Sequence, residues 1–189
     1  ARSRGLGDVY KRQVAMIRIA HHSIYAHPLP EGHRFPMLKY EMLPEQLVRE
    51  GTCQREQFFA PSPILDQHVL RTHCLEYYKK LNAVSLTKKE IRRIGFPLSQ
   101  ELIERECIIA QGTLKGCAFA LKNGISFNIA GGTHHAFFDR GEAFCLLNDQ
   151  AIAANYLLVT EQAKQILIID LDVHQGNGTA ALFRNNPKV

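Results

Sequence analysis

Short apolar runs alternate with helical patterns along most of the chain. The first run that predicts a strand is residues 17–20 (IRIA), and later ones are residues 125–130 (ISFNIA) and 165–170 (QILIID). The last of these holds consecutive β-branched and apolar residues, which is typical of a strand buried on both faces. Because strands separated by helices form βαβ units, the pattern predicts an α/β fold with a mainly parallel sheet flanked by helices.

Several segments between these runs have the composition and spacing of helices. A proline-rich stretch, residues 27–36, predicts a loop before the first of them. Thr87 and Glu90 have the spacing of a capping box, which begins a short helix. Gly124 follows Asn123 at a position that suits a left-handed helix end. The predicted helices cover about residues 37–49, 64–81, 87 onward, 100–121 and 149–159.

The composition is that of an ordinary globular chain. Of 189 residues, 46% are apolar and 22% are charged, which suffices for one hydrophobic core. No run reaches the 18 or more apolar residues of a membrane span, and no secretory signal opens the chain, so we expect a cytoplasmic protein without a membrane partner. The five cysteines lack CxxC spacing, which favours reduced thiols over a disulfide framework or a thiolate zinc site.

The basic charge is concentrated at the N-terminus. The formal net charge is +5, and the opening ARSRGLGDVYKRQ holds four basic side chains against one acidic one, which leaves +2 for the rest. We therefore expect no nucleic-acid partner. Since this leader has no hydrophobic period, we interpret residues 1–15 as foreign to the fold and residues 16–189 as the N-terminal portion of a single domain. A basic arm that contacts nucleic acid or an anionic surface is the alternative.

Two polar motifs follow predicted strands. The first is GGTHHA (residues 131–136) and the second is DLDVHQGNGT (residues 170–179). In an extended backbone Asp170, Asp172 and His174 point to one side, and neighbouring carboxylates in a partly dry site need compensation by a cation or by donor groups, of which a metal is the simplest. A carboxylate oxygen combined with an imidazole nitrogen suits zinc better than calcium or magnesium. We therefore expect a metal site at the carboxyl edge of the sheet, where open α/β folds bind ligands.

Each motif alone also has a purely structural explanation. Asp and Asn often end strands and start turns, and a histidine pair such as His134 and His135 is common on surfaces and in cores. Two such motifs at the ends of two separate strands are harder to explain in this way. Their combination therefore favours a functional site.

Both motifs lie in segments that resemble a known family. GGTHHAFFDRGEAFCLLND (residues 131–149) and IIDLDVHQGNGTA (residues 168–180) closely resemble the two signature segments of histone deacetylases and related bacterial deacetylases. Residues 27–40 and 65–81 look like the family's N-terminal loop and the helix after it. The resemblance implies the arginase-deacetylase fold, a parallel sheet flanked by helices, in a domain longer than this chain. The C-terminal part of that domain would then be missing.

The resemblance also assigns roles to residues of both motifs. Asp172 and His174 match two of the family's three zinc ligands, while His134 and His135 match its tandem active-site histidines. Asp170 matches the carboxylate that orients the first histidine. In the family, Asp170 together with backbone carbonyls near Asp172 and His174 would also hold a monovalent cation, usually potassium.

Four further positions correspond to the family's site. Asn177 stands where the partner of the second histidine is expected, and an Asn there is more similar to classes II and IV than to class I, which has Asp. Phe144 matches one wall of the acyl-lysine tunnel, and Arg34 matches the arginine at the tunnel floor. Ala143 departs from the family, which usually has glycine before this phenylalanine. If the position needs an unusual φ, the extra methyl would weaken substrate binding.

The implied activity is zinc-dependent hydrolysis of an acetyl-lysine-type amide with release of acetate. Zinc would polarise the acetyl carbonyl and activate a water, with His135 as general base and then acid, and His134 as electrostatic partner. The expected substrate is acetylated lysine in a protein, an acetylated polyamine or a small amide. The family's third zinc ligand and oxyanion tyrosine would follow Val189, so we expect this 189-residue chain itself to be inactive.

Two other functions stay open at this point. Arginase-like ureohydrolases share the fold, but they use a two-metal cluster built from further Asp and His motifs that this sequence does not show. A deacetylase-like pocket can also bind an acyl group or a partner without turnover. Ala143 and the missing C-terminal residues keep that second interpretation open.

Overall fold

Three short strands form a parallel sheet in the computed structural model, which describes residues 17–189. They are β1 (Arg18–Ala20), β2 (Phe58–Phe59) and β3 (Ser126–Asn128), in the order β2-β1-β3. In the parallel register Ile19 lies opposite both Phe58 and Phe127. The first two predicted strands and the parallel sheet are therefore confirmed. The interpretation of residues 1–15 as a leader lies outside the described residues.

The described residues form seven α-helices and two single 3₁₀ turns. The helices are α1 (Lys39–Arg49), α2 (Asp66–Val69), α3 (Leu75–Asn82), α4 (Lys88–Ile94), α5 (Gln100–Asn123), α6 (Asp149–Val159) and α7 (Asn177–Phe183). The 3₁₀ turns are Ser23–Tyr25 and Arg55–Gln57. None of the helices between residues 17 and 189 is long and apolar enough to cross a membrane.

Most of the predicted helices are confirmed, together with the signals that delimit them. α4 begins after Thr87, whose hydroxyl accepts the backbone N–H of Glu90 while the Glu90 carboxylate accepts the N–H of Thr87. α5 ends before Gly124, which has a φ of 94°. Local capping chemistry is therefore sufficient to place these two helix ends.

The single helix predicted over residues 64–81 is wrong, because the chain forms α2 and α3 there. Between them, Cys74 is extended and donates its backbone N–H to the carbonyl of Phe138, 2.8 Å away. Nδ1 of the buried His73 ring is 2.7 Å from the carbonyl oxygen of Phe137, and Nε2 accepts the backbone N–H of Asn148 at 3.0 Å. These contacts with distant residues outweigh the helical propensity of the segment.

The longest helix, α5, supplies much of the core and packs against the sheet and α6. Its buried apolar side chains are Leu102, Ile103, Cys107, Ile108, Ile109, Ala110 and Leu114. It also buries an ion pair between Arg105 and Glu106, in which burial raises the pKa of Glu106 and Arg105 counteracts that rise. Because Nε of Arg105 donates to the carbonyl of Tyr25 at 2.9 Å, the pair ties α5 to the turn after β1.

The buried strand predicted at residues 165–170 is also wrong, because this segment is irregular. Ile166 and Ile168 pack against α6 and α7, whereas Leu167 is 82% exposed and Ile169 is 68% exposed. A strand needs neighbours that satisfy its backbone hydrogen bonds. No strand among the described residues pairs with this segment, so only one of its faces is covered.

Two consecutive residues before α6 adopt left-handed backbone conformations. Ala143 has a φ of 43° and Phe144 has a φ of 68°. Their backbone N–H groups donate to the carbonyls of Arg93 at 3.0 Å and Ile94 at 2.6 Å, which holds both residues against the end of α4. This conformation costs a residue with a Cβ about 1–2 kcal/mol. The condition under which Ala143 is unfavourable, an unusual φ, is therefore met.

Replacing Ala143 by glycine should stabilise the protein. Glycine adopts a positive φ without the Cβ penalty, so we expect the free energy of unfolding to rise by about 1 kcal/mol in urea denaturation. The matched control is Ala118→Gly, at an exposed position in α5. That change should lower the free energy of unfolding by about 1 kcal/mol. If Ala143→Gly lowered the free energy of unfolding as Ala118→Gly does, the backbone at position 143 would not be strained.

His73 should make stability depend on pH. Burial lowers the pKa of His73 from 6.5 to about 4. Between these two pKa values the unfolded chain binds a proton on His73 and the folded protein does not. The contribution of His73 to the free energy of unfolding is therefore complete above pH 6.5 and is lost as the pH falls towards 4. At pH 5 the loss from this group is about 2 kcal/mol.

The measurement is urea unfolding at pH 7 and pH 5 for the wild type and the His73→Gln variant. Between the two pH values the wild type should lose about 2 kcal/mol more than the variant, although the variant is less stable at pH 7. Equal losses would show that His73 is not the group responsible.

Candidate active site

A turn after β3 carries two histidines whose rings lie side by side. The ring centroids of His134 and His135 are 4.2 Å apart. Nδ1 of His134 is 2.6 Å from Oδ2 of Asp170, and Nδ1 of His135 is 2.7 Å from Oδ1 of Asn177. These partners lie 36 and 42 residues later in the chain, so the two bonds join the two sequence motifs. Each ring is held through Nδ1, which leaves Nε2 for proton transfer.

The amide oxygen of Asn177 is the atom that faces His135. The same oxygen accepts the backbone N–H of Gly178 at 2.9 Å, which an amide nitrogen does not do. His135 therefore donates its Nδ1–H to Asn177, and the neutral ring has its lone pair on Nε2. A lone pair fixed on one nitrogen is what a general base requires.

The carboxylate of Asp170 accepts a hydrogen bond on each oxygen. Oδ2 bonds to His134, and Oδ1 accepts the backbone N–H of Asp172 at 3.0 Å. These bonds lower the pKa of Asp170, with His134 the larger cause, so the group is ionised at neutral pH. A Cβ at Gly176 would lie 2.2 Å from Oδ2 of Asp170. Position 176 therefore requires glycine for this close approach.

The two predicted metal ligands lie next to the histidine pair. Oδ1 of Asp172 accepts the backbone N–H of His174 at 2.7 Å and lies 3.0 Å from Nδ1 of its ring. The backbone N–H is the larger cause of the lowered pKa of Asp172, and the His174 ring adds to it. The centroid of the His174 ring is 6.2 Å from that of His135. The Asp172 and His174 side chains are 51% and 74% exposed, so both are accessible to an ion.

Asp172 and His174 fit two positions of a zinc site. A carboxylate oxygen and an imidazole nitrogen are both ordinary zinc ligands, and a catalytic zinc has three protein ligands. Residues 17–189 contain no group of three His, Cys, Asp or Glu side chains placed to hold a metal. Zinc bound here would therefore need a third ligand from outside the described residues.

A cavity of about 640 Å³ opens beside these side chains, a volume in the usual range for small-molecule sites. The predicted site residues that line it are Arg34, His134, His135, Ala143, Phe144, Asp172 and His174. Asp170 and Asn177 do not line the cavity, but they hold the two histidines that do. The structure therefore brings all of the predicted site residues together.

Phe144 forms one wall of the cavity. Its ring packs against Phe35 and Phe96, with both centroid distances 5.0 Å. The guanidinium carbon of Arg34 lies 4.9 Å from the centroid of Phe144, a cation–π distance. Arg34 is exposed and stands against this wall. Its assignment to the tunnel floor stays a prediction.

Sequence reasoning missed the two residues at the start of α6. Nδ2 of Asn148 donates to the carbonyl of Ala136 at 3.2 Å, and the carboxylate of Asp149 accepts the backbone N–H groups of Gly132 and Thr133. An Asn-Asp pair before a helical pattern predicts a helix cap. No local signal shows that the same two side chains also bond to the histidine turn.

Comparison with known proteins shows which family this chain resembles. The histone deacetylase domain model matches residues 33–189. An uncharacterized protein of Picosynechococcus sp. is 42% identical over 172 residues, which cover 90% of this chain and 57% of that protein. Histone deacetylase 5 of Arabidopsis thaliana is 27% identical over 186 residues, which cover 86% of this chain and 27% of that protein.

A solved structure is similar over most of the chain. The crystal structure of an HDAC homolog from Aquifex aeolicus aligns with a TM-score of 0.76 at 22% sequence identity, over 91% of this chain and 49% of that one. The present chain thus spans about half the length of the Picosynechococcus and Aquifex proteins. This likeness confirms the predicted arginase-deacetylase fold, and the domain model covers most of the sequence. The chain belongs to the histone deacetylase family.

Proposed function

We propose that these residues serve a zinc-dependent deacetylase, which hydrolyses an acetyl-lysine-type amide and releases acetate. The observation that carries the proposal is the histidine pair, in which each ring is held through Nδ1 by a different acceptor. His134 bonds to a carboxylate and His135 bonds to a neutral amide. Membership of the histone deacetylase family supports the reaction class.

His135 is the general base in this proposal. Its Nδ1–H is donated to Asn177, so the lone pair on Nε2 accepts a proton from the attacking water. The same nitrogen then returns the proton to the leaving amine. Because Oδ1 of Asn177 is also held by the N–H of Gly178, the acceptor does not rotate away between the two steps.

His134 is the electrostatic partner. It is only 6% exposed, and its Nδ1 lies 2.6 Å from the ionised carboxylate of Asp170. The second oxygen of Asp170 is fixed by the backbone of Asp172, so the carboxylate stays in place. We assign His134 to stabilising the charge that develops on the reacting acyl group, because preorganised groups are most effective in that role.

The metal and the monovalent cation are part of the same proposal. Asp172 and His174 would hold zinc with one further ligand, and the chemistry supplied there is polarisation of the acetyl carbonyl and activation of the attacking water. Asp170, with backbone carbonyls near Asp172 and His174, would hold a monovalent cation such as potassium. Substrate orientation and proton transfer are left to the side chains around the cavity.

The wall at Phe144 fits the methylene chain of an acetylated amine. A ring packed on Phe35 and Phe96 offers a fixed apolar surface for that chain. Acetyl-lysine in a protein and acetylated polyamines share this feature, and a small amide would use only the reacting end of the cavity. Matching relatives are named for different roles, as histone deacetylases or as acetoin utilization protein AcuC of Staphylococcus aureus.

Replacing His135 by alanine in the full-length protein should remove the general base. We expect kcat for an acetyl-lysine peptide, measured by acetate release, to fall about 100- to 10,000-fold. Zinc content should stay at about one ion per molecule, because His135 is not a ligand. The control is His22→Ala, a histidine that caps the turn Ser23–Tyr25 and does not line the cavity.

Three outcomes would count against the deacetylase. Equal activity of the His135 and His22 variants would remove the general base from the mechanism. Two manganese ions per full-length molecule would favour the arginase-like alternative. Tight binding of acetyl-lysine by the wild type without hydrolysis would instead identify an acyl-binding module.

Replacing Asn177 by alanine should lower kcat while leaving KM nearly unchanged. The variant frees Nδ1 of His135, so the ring is no longer restricted to the tautomer that has a lone pair on Nε2. We expect kcat to fall about 10- to 100-fold. The control is Gln175→Ala, an exposed position in the same segment. A raised KM at unchanged kcat would mean that Asn177 contributes to substrate binding instead.

A further inference from the structure

Asp149, the first residue of α6, accepts hydrogen bonds from the turn that carries the histidines. Its carboxylate accepts the backbone N–H of Gly132 at 3.1 Å and that of Thr133 at 2.8 Å. The hydroxyl of Thr133 adds a third bond at 2.7 Å, and Thr113 of α5 donates to the other oxygen. The residue is 1% exposed, so it depends on these donors for solvation. Three of the four donors belong to the turn.

Capping of α6 does not account for these bonds. The N-cap is Asn148, whose Oδ1 accepts the backbone N–H of Ala151 at 3.0 Å. An acidic residue in the first turn of a helix is favourable by itself, and it needs no contact with another segment for that. The bonds that the carboxylate accepts from the backbone N–H groups of Gly132 and Thr133 therefore serve the turn.

The turn is also held on the other side of the histidines. Nδ2 of Asn148 donates to the carbonyl of Ala136 at 3.2 Å, and the backbone N–H of Thr179 donates to the carbonyl of His134 at 3.1 Å. A Cβ at Gly131 would lie 2.9 Å from Oδ2 of Asp149, so the turn lies directly on the carboxylate. At the start of α6, Asp149 thus holds the turn before the two histidines, and Asn148 holds it after them.

We propose that Asp149 is a positioning residue for the His134–His135 pair and acts through the backbone of the turn. It does not line the cavity, so it does not touch the substrate. Without the carboxylate, the N–H groups of Gly132 and Thr133 lose their acceptor and the turn relaxes. The Nδ1 atoms then leave their positions 2.6 and 2.7 Å from their acceptors. As a statement about catalysis, this inference rests on the proposed deacetylase function.

Thr133 supplies a matched pair of variants. Its hydroxyl donates to Oδ1 of Asp149 at 2.7 Å and accepts the backbone N–H of Asp149 at 3.1 Å. Thr133→Val removes both bonds with little change in shape, whereas Thr133→Ser keeps the hydroxyl. Thr113→Val removes a bond to the same carboxylate from the α5 side, together with the bond that the Thr113 hydroxyl accepts from Nδ2 of Asn128 at 2.8 Å, and it leaves both bonds of Thr133 in place.

The first experiment compares kcat, KM and zinc content of these variants in the full-length protein. Asp149→Ala, which removes the acceptor on which the three bonds from Gly132 and Thr133 converge, should lower kcat about 10- to 100-fold and Thr133→Val about 10-fold, with KM within about threefold and zinc content unchanged. Thr133→Ser should restore kcat, and Thr113→Val should change it by less than about threefold. If Asp149→Ala does not fold, the three threonine variants still decide the question. Equal losses in the two valine variants would overturn the positioning role.

The second experiment does not depend on turnover. ¹⁵N chemical shifts of selectively labelled imidazoles report which ring nitrogen carries the proton. His135 should be the Nδ1–H tautomer in the wild type and a mixture in Asp149→Ala and Thr133→Val. An unchanged tautomer in both variants would overturn the inference. If the wild type shows no deacetylation, the proposed function fails, and the tautomer comparison alone decides the role of Asp149.

Discussion

Two hydrogen bonds between neighbouring histidines and a later segment of the chain determine the geometry of the site. Nδ1 of His134 and Nδ1 of His135 bind acceptors that lie 36 and 42 residues further on. These bonds set the ring tautomers and at the same time fix how the turn after β3 meets residues 170–177, which end at the first residue of α7. A shift of either segment would break both bonds together, so the geometry of the histidine pair and the local fold are a single constraint here.

The other features of the site follow from the close approach that this constraint demands. A Cβ at Gly178 would lie 2.5 Å from the carbonyl oxygen of Ala136 and 2.6 Å from that of His134, and one at Gly176 would collide with Asp170. Both glycines are needed for space, although the sequence suggests only a tight turn. The hydrogen bonds from Asn148 and Asp149 at the start of α6 also help to keep the histidines in place. They are needed because the turn that carries the histidines contains Gly131 and Gly132 and has little stiffness of its own. Rigidity is supplied from a neighbouring helix.

Local signals predicted the elements whose ends are capped locally, and they failed where distant contacts decide. The ends of α4 and α5 follow from Thr87, Glu90 and Gly124, and alternating apolar runs located β1 and β3. The break between α2 and α3 depends on bonds of His73 and Cys74 to residues about 70 positions away, which no window of sequence contains. The irregular segment 165–170 has the composition of a strand, but composition does not supply a hydrogen-bonding neighbour.

Within the site, the two sequence motifs located the histidines and the predicted metal ligands. The contacts of Asp149 with the histidine turn could not be predicted, because an acidic residue at a helix start already has an ordinary explanation.

The proton-transfer and metal-binding parts of the proposed chemistry differ in how complete they are within residues 17–189. Both histidines already have their acceptors, and those acceptors are themselves held, Asp170 by the backbone of Asp172 and Asn177 by that of Gly178. The two predicted metal ligands, Asp172 and His174, are accessible, but their side chains bond to each other. A third ligand would have to separate Asp172 from His174 and turn both towards an ion, while the histidine pair needs no rearrangement. The tautomer of His135 is therefore a property of these residues alone, and metal affinity is a property that they share with whatever supplies the third ligand.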